Sequence, residues 1–440
     1  MRTYLTRLPI FLLVSTLVSC ISGAPKANNH APVENPTTYQ NSYPETQTPN
    51  ENIIFSAQPV INVYLETSGS MNGYVDNGKS QFQQVVFDYL SNIQNCGQFS
   101  GINLNYITDK ITPKGENVNS FINTLTSTGI MNASGNKATT DIASLLQTVL
   151  EKTDGENVSI FISDCIFSPG AVSNPEAYLE NQKIAIRNAI KSYIDKNVYV
   201  GCTVYRIVSD FKGSYFDYKN RASKINMPRP FYIWVFGSPA HLATIKSNVP
   251  DGKFMGAKVE NTWTIINGDF SEYQVLNDYG LLQPSPTNGD YRWKSKTIVE
   301  NIRKSGDYFS FTFGVDMSIQ ILLYGEEYVT DLDNYRNLID KNIGEEFLGS
   351  FRENNIRAAK YTHDLTVKSE KPFSKGDIRI VFDGKVPQWV YNYTDKDDSI
   401  LNDSNSLQTY GFNYMCDGIY AGFHANNSNN VTASYNFVIK

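Results

Sequence analysis

From residue 58 to about 250, short β-branched and apolar runs alternate with stretches whose apolar residues recur at helical spacing. That alternation constrains the fold more than any other feature. Unbroken or alternating apolar runs make strands, whereas i, i+3, i+4, i+7 spacing makes an amphipathic helix. Residues 59–65, 102–107, 158–162, 198–208 and 231–236 read as strands. Phe82, Val85, Val86, Tyr89, Leu90 and Ile93 form one helical stripe, and Ile142, Leu145, Leu146, Val149 and Leu150 form another. Asn174-Pro175 and Ser238-Pro239 supply a cap and a first-turn proline for two more helices. Residues 158–162 are apolar almost throughout, as in a strand covered on both faces. The expectation is an α/β domain over 58–250 with an open, mostly parallel, doubly wound sheet. Sites in such sheets form beyond the carboxyl ends of the strands.

The pattern changes near residue 251. Helical periodicity fades, and residues 308–313 alternate with period two. Residues 378–382 and 433–439 are further strand candidates. Residues 251–440 are therefore expected to be a β-rich, sandwich-like region. Asp331, Asn334, Leu338 and Phe347 suggest one or two helices within 331–360, and 410–423 suits helix or strand equally. A chain of 440 residues with 41% hydrophobic content can bury two or three cores.

The first 20 residues carry Arg2 and Arg7, then an apolar stretch too short to span a bilayer, then Leu17-Val18-Ser19-Cys20. That ending resembles a bacterial lipobox, which implies cleavage before Cys20 and lipid on its thiol. Residues 21–57, rich in Asn, Pro, Thr, Ser and Gln, lack the apolar content for a core and read as a tether. Their composition is similar to that of Bacteroidota lipoproteins. An outer-membrane anchor is implied, with the side it faces open. Net charge is -6 and no Lys/Arg-rich run occurs, which argues against a nucleic-acid partner. The remaining cysteines, Cys96, Cys165, Cys202 and Cys416, have no zinc-like spacing.

The chemistry gathers at strand ends. The first strand runs into Glu66-Thr67-Ser68-Gly69-Ser70-Met71, the second helical stripe follows Thr139-Thr140-Asp141, and a buried strand ends at Ser163-Asp164. In that order the three elements resemble the metal-ion-dependent adhesion site of the von Willebrand factor A (VWA) family, a Rossmann-like fold. The resemblance covers about 58–250 and implies a metal held by Glu66, Ser68, Ser70, Thr140 and Asp164. Glu66 stands where the family has Asp, one methylene longer. The residues make physical sense for the task. Mg²⁺ (or Mn²⁺ or Ca²⁺) takes hard oxygen ligands, about six for Mg²⁺. Hydroxyls at Ser68, Ser70 and Thr140 are neutral, so the ion keeps charge with which to attract a carboxylate on a partner protein. Alternatively, Ser68 and Ser70 cap the turn that follows and the fold serves as a metal-free scaffold.

Other groups are weaker candidates. Asp141 suits a helix cap better than a ligand. Cys165 adjoins Asp164 with no His nearby in sequence to activate it. His30, His241, His363 and His424 are scattered, and Asp395, Asp397 and Asp398 read as a solvated turn rather than a Ca²⁺ loop. Asp398-Ser399-Ile400 also matches a short glycan acceptor of low specificity. No hydrolase elbow and no phosphate loop is present, since Gly78-Lys79-Ser80 lacks the upstream Gly. The sequence is expected to encode a binding protein rather than an enzyme.

Overall fold

The computed structural model describes residues 58–75, 79–135, 141–170, 172–197, 199–251, 255–267, 272–274, 291–337, 349–353, 361–382, 384–425 and 433–440. The first part of the chain contains β1 (Val60–Glu66), α1 (Gln81–Asn95), β2 (Gly101–Ile107), β3 (Ile111–Gly115), α2 (Val118–Thr124), α3 (Ser127–Met131) and α4 (Ile142–Glu151). It continues with β4 (Val158–Ser163), α5 (Pro175–Lys196), β5 (Val200–Phe216), β6 (Ala222–Gly237), α6 (Pro239–Asn248) and β7 (Val259–Asn267).

These strands form a seven-stranded sheet in the order β3-β2-β1-β4-β6-β5-β7. The centre meets the expectation: β1 pairs in parallel with both β2 and β4. The flanks do not, because β3, β5, β6 and β7 all pair antiparallel with their neighbours. The sheet is mixed rather than mostly parallel. At one edge β3 folds straight back on β2; at the other the cause is a long hairpin, β5–β6, whose turn is closed by Asp217. That carboxylate accepts the Lys219 and Arg221 amides at 3.0 and 2.7 Å. A short turn of this kind permits only antiparallel pairing. β6 thus slots between β4 and β5, although α5 joins those two directly.

Helices cover both faces. The α1 stripe begins at a capping box between Ser80 and Gln83 and is buried against β1 residues Ile61, Val63 and Leu65 and α6 residues Leu242 and Ile245. On the other face, α4 and α5 pack on Tyr64, Phe161 and Trp234. Asp141 caps α4 through the Ser144 amide at 3.1 Å, as its position suggested.

The second part contains β8 (Glu272–Gln274), β9 (Arg292–Ser295), β10 (Ile298–Glu300), β11 (Lys304–Ser305), β12 (Tyr308–Asp316), α7 (Ser318–Tyr324), α8 (Glu326–Thr330), β13 (Tyr335–Asn337) and β14 (Gly349–Glu353). It ends with β15 (His363–Ser369), β16 (Gly376–Phe382), α9 (Gln388–Asn392), β17 (Thr394–Asp395), β18 (Thr409–Tyr410), α10 (Phe412–Phe423) and β19 (Ala433–Ile439). Two sheets, β13-β16-β19-β10-β9 and β11-β12-β15-β14, share an aromatic core. Phe311 and Phe313 of β12 meet Phe437 of β19 with ring centroids 5.6 and 4.6 Å apart, so the inner faces of the two sheets interlock. The region is β-rich, as expected. Two short helices lie at 318–330, just before the stretch that suggested them; within that stretch a 3-10 turn spans Leu332–Asn334, and Leu338 and Phe347 fall outside the described residues.

Residues 386–423 return to the first sheet. α10 packs on α5, burying Phe412, Met415, Cys416 and Ile419 in the same core as Phe161 and Trp234. A Cβ on Gly422 would meet Ile190 Cβ at 2.6 Å, so glycine is what lets these helices approach. Likewise β7 completes the first sheet although it lies beyond residue 250.

Candidate functional site

β1 and β4 are neighbours in register, Leu65 opposite Ile162, so both end at one edge of the sheet. Glu66 and Ser163 therefore meet there. The Ser163 hydroxyl donates to Glu66 Oε2 and accepts the Cys165 amide at 2.8 Å. Ser163 was not identified from sequence; the signal was a hydroxyl ending an otherwise apolar buried strand. Beyond Glu66 the chain turns through Thr67, Ser68 and Gly69 into a single 3-10 turn, Ser70–Tyr74. The turn brings the Ser68 and Ser70 hydroxyls within 3.0 Å of each other. Four of the five expected ligands thus gather at one strand edge. The fifth, Thr140, lies outside the described residues, as does Cys20.

Asp164 is, like Glu66, almost completely shielded from water. It is 2% solvent-accessible, and burial pushes its carboxyl above the usual carboxylate range. The Ser70 hydroxyl, the Ile166 amide and the Arg229 guanidinium pull in the opposite direction. Oδ1 accepts the Ile166 amide at 3.3 Å, while Oδ2 has no partner of good geometry among the described residues. Cys165, next in the chain, holds a left-handed φ of 55° and turns the backbone away from β4. Its thiol is fully buried, accepts the Trp234 indole N–H at 3.3 Å, and is raised by burial. A thiol held protonated is a poor nucleophile, which suits the structural reading of Cys165.

The cluster has a roof. Tyr74 reaches the Pro230 carbonyl at 2.5 Å and meets Phe211 edge-on with centroids 4.9 Å apart. A Cβ on Gly73 would fall 2.1 Å from the Phe211 ring, so only glycine fits between turn and hairpin. Beyond the roof lies Arg229, fully buried, donating to the Ser406 carbonyl at 2.7 Å and lying over the Tyr215 ring at 4.7 Å. Its Nε and Nη2 have no partner among the described residues. Arg229 was also missed in the sequence. A cation between Pro228 and Pro230, on a strand leading into an apolar run, was the available clue.

The acidic turn departs from expectation. Asp398 is 1% exposed rather than solvated; it accepts the Tyr215 hydroxyl and, at 2.9 Å, the Tyr218 amide. Burial raises its carboxyl to about 6. Asp395 accepts the Asp397 amide at 3.0 Å and the Asn405 amide at 3.1 Å, so its oxygens serve the loop itself. The histidines do not converge: buried His241 is lowered to about 4 by desolvation, His363 lies 3.4 Å from Glu326, and His424 contacts the Tyr420 carbonyl.

A small, hard cation fits the strand-end cluster on one observation: a buried carboxylate oxygen without a partner of good geometry among the described residues stands beside a serine hydroxyl, and every donor is oxygen. Among the described residues no group of three or more His, Cys, Asp or Glu is placed to hold a metal. The candidate centre is of a different kind, two carboxylates with hydroxyls. Among the described residues, too, no helix is long and apolar enough to cross a membrane. The sequence matches no known family model and no curated relative.

Proposed function

We propose that this chain is a lipid-anchored, non-enzymatic binding protein with a VWA-like domain, in which Glu66, Ser68, Ser70, Asp164 and Thr140 hold a divalent cation. When bound, the cation supplies an electrophilic point that attracts a carboxylate from a partner protein. The observation that carries the reading is Asp164 Oδ2, without a partner of good geometry among the described residues, beside the linked Ser68 and Ser70 hydroxyls. The parallel β2-β1-β4 centre, with antiparallel β3 at its edge, supports the VWA-like part. The ordered signal, lipobox and tether support attachment to the outer membrane through Cys20. The net charge of -6 supports a partner other than nucleic acid.

A second reading is favoured by Arg229. A buried guanidinium in the field of Asp164 supplies positive charge where a metal would, and the domain then acts as a metal-free scaffold. Calorimetric titration of Mg²⁺, Mn²⁺ and Ca²⁺ decides between them. Saturable binding that is lost in Ser68→Ala/Ser70→Ala and in Asp164→Asn supports the metal reading. It should strengthen as pH rises, because the cation competes with a proton for a carboxyl raised by burial. Absence of heat at every pH favours the scaffold.

A further inference from the structure

A second concavity lies between the first turn of α5 and the returning segment that holds β17, β18 and α10. It encloses 690 Å³, within the range of about 300–1,000 Å³ typical of small-ligand sites. Tyrosines form its walls: Tyr218, Tyr391, Tyr410 and Tyr414. Asn174 and Asn413 add carboxamides. The walls are set before any ligand arrives. Tyr218 and Tyr410 stack with centroids 5.1 Å apart and planes 21° from parallel. Tyr391, 42% exposed, is anchored by its hydroxyl to Asp417 at 2.8 Å. Rigid rings with an apolar face and a polar edge suit a ligand built the same way.

Charge selects the class. Lys219 already stands 5.0 Å from the centre of the Tyr218 ring, and Lys183 5.7 Å from that of Tyr414. Lys396 is in the lining itself, so a cationic ligand meets an ammonium group there. An anionic ligand meets Glu176 and Asp395, which also line the cleft. The Asp395 oxygens already accept from Asp397 and Asn405. Neither sign of charge is welcomed, whereas aromatic faces and amide edges are on offer.

We infer that this cleft binds a neutral saccharide, its ring faces against Tyr391 and the Tyr218–Tyr410 stack and its hydroxyls against the asparagine amides. The site is separate from the Ser68–Ser70 centre, and saccharide binding needs no metal. The cleft joins the hairpin tip to the returning C-terminal segment, so a bound sugar would also hold those two parts together.

Saturation-transfer NMR on the full chain with chelator present tests this, using neutral oligosaccharides of glucose, mannose, xylose and N-acetylglucosamine. Oligogalacturonate and chitosan oligomers serve as anionic and cationic comparisons. Saturable binding of at least one neutral oligosaccharide is expected, with the charged ones weaker. Tyr391→Ala removes a half-exposed ring and should weaken binding roughly three- to tenfold, the size of one aromatic contact. Lys219→Glu, outside the lining, should leave it within about twofold, because a neutral ligand is indifferent to the sign of a rim charge. No binding across the neutral panel overturns the proposal. So does binding unchanged in Tyr391→Ala, a preference for either charged oligosaccharide, or a large response to Lys219→Glu. Failure of the metal titration leaves this result untouched.

Discussion

Two covers close the carboxyl edge of the first sheet, and they are made by opposite means. The near cover is the 3-10 turn that follows β1 directly. It settles on the hairpin by close steric fit, with Gly73 against Phe211 and Tyr74 reaching Pro230. The far cover is the loop between Asp395 and Tyr410, which comes from almost two hundred residues away. It is held by polar anchors: Arg229 to the Ser406 carbonyl, Arg206 to the Leu407 carbonyl at 2.7 Å, and Asp398 on Tyr215 and Tyr218. Closing a short turn costs little entropy, so close fit and the one Tyr74–Pro230 hydrogen bond suffice there. A distant loop loses more freedom, and charge-assisted hydrogen bonds to its carbonyls oppose that loss.

If the far cover depends on buried charge, Arg229→Met should be the most damaging change. Methionine keeps much of the volume but leaves the Ser406 carbonyl without its donor and Asp164 without a compensating cation. A loss of about 3–5 kcal/mol is expected in urea unfolding. Adding Asp164→Asn should return part of it, because the uncompensated anion goes too. A loss below about 1 kcal/mol would mean that apolar contacts alone hold the loop. Partial rescue of Arg229→Met by Mg²⁺ would show cation and guanidinium to be interchangeable near Asp164.

Asp398 sharpens the same contrast through pH. Its folded value of about 6 lies above the ordinary aspartate range, so the folded protein holds the proton more tightly than the unfolded chain. The stability this contributes is complete below about pH 4 and is lost as pH rises through about 6. Relative to Asp398→Asn, the natural protein should lose on the order of 2–3 kcal/mol between pH 4 and pH 7. Parallel stability–pH curves for the two proteins would remove Asp398 from the list of anchors.

The two covers also differ in how far the sequence foretells them. β1, α1, β2, α4, β4 and α5 announce themselves because their periodicity is local and agrees with their burial. The hairpin is harder. Residues 209–230 mix Lys, Asp, Pro and aromatics, and the pairing is decided by an Asx turn at Asp217 rather than by pattern. α10 reads ambiguously because Gly418 and Gly422 weaken its helical signal, and their purpose is visible only against α5. Ser68, Ser70 and Asp164 stand out by their order at strand ends. Arg229 and Ser163 do not, because what marks them is the company they keep after folding.

The near cover should break by crowding. Gly73→Ala places a methyl inside the Phe211 ring position, and the turn or the hairpin must move. About 1–3 kcal/mol of stability should be lost, the usual range for overpacking. Phe211→Leu in the same chain should recover part of that by making room, at its own cost. The far cover should be indifferent, so the pH response assigned to Asp398 should survive in Gly73→Ala. Its disappearance would mean that the two covers form one cooperative unit, with the hairpin as the shared element.

Ser70→Ala is the gentlest test and asks whether the near cover has a polar anchor besides the Tyr74 bond to the Pro230 carbonyl. The hydroxyl pairs with Ser68 and eases the Asp164 anion, so its loss should cost about 1 kcal/mol without metal. The Asp164 carboxyl should climb further, since one of the groups holding it down is gone. The extra climb adds stability at low pH and removes it as pH rises through the new folded value. The variant should therefore match the natural protein most closely in acid and fall behind toward neutrality. If it falls behind equally at every pH, Ser70 acts only on Ser68, and the near cover is held by its steric fit and the Tyr74–Pro230 bond.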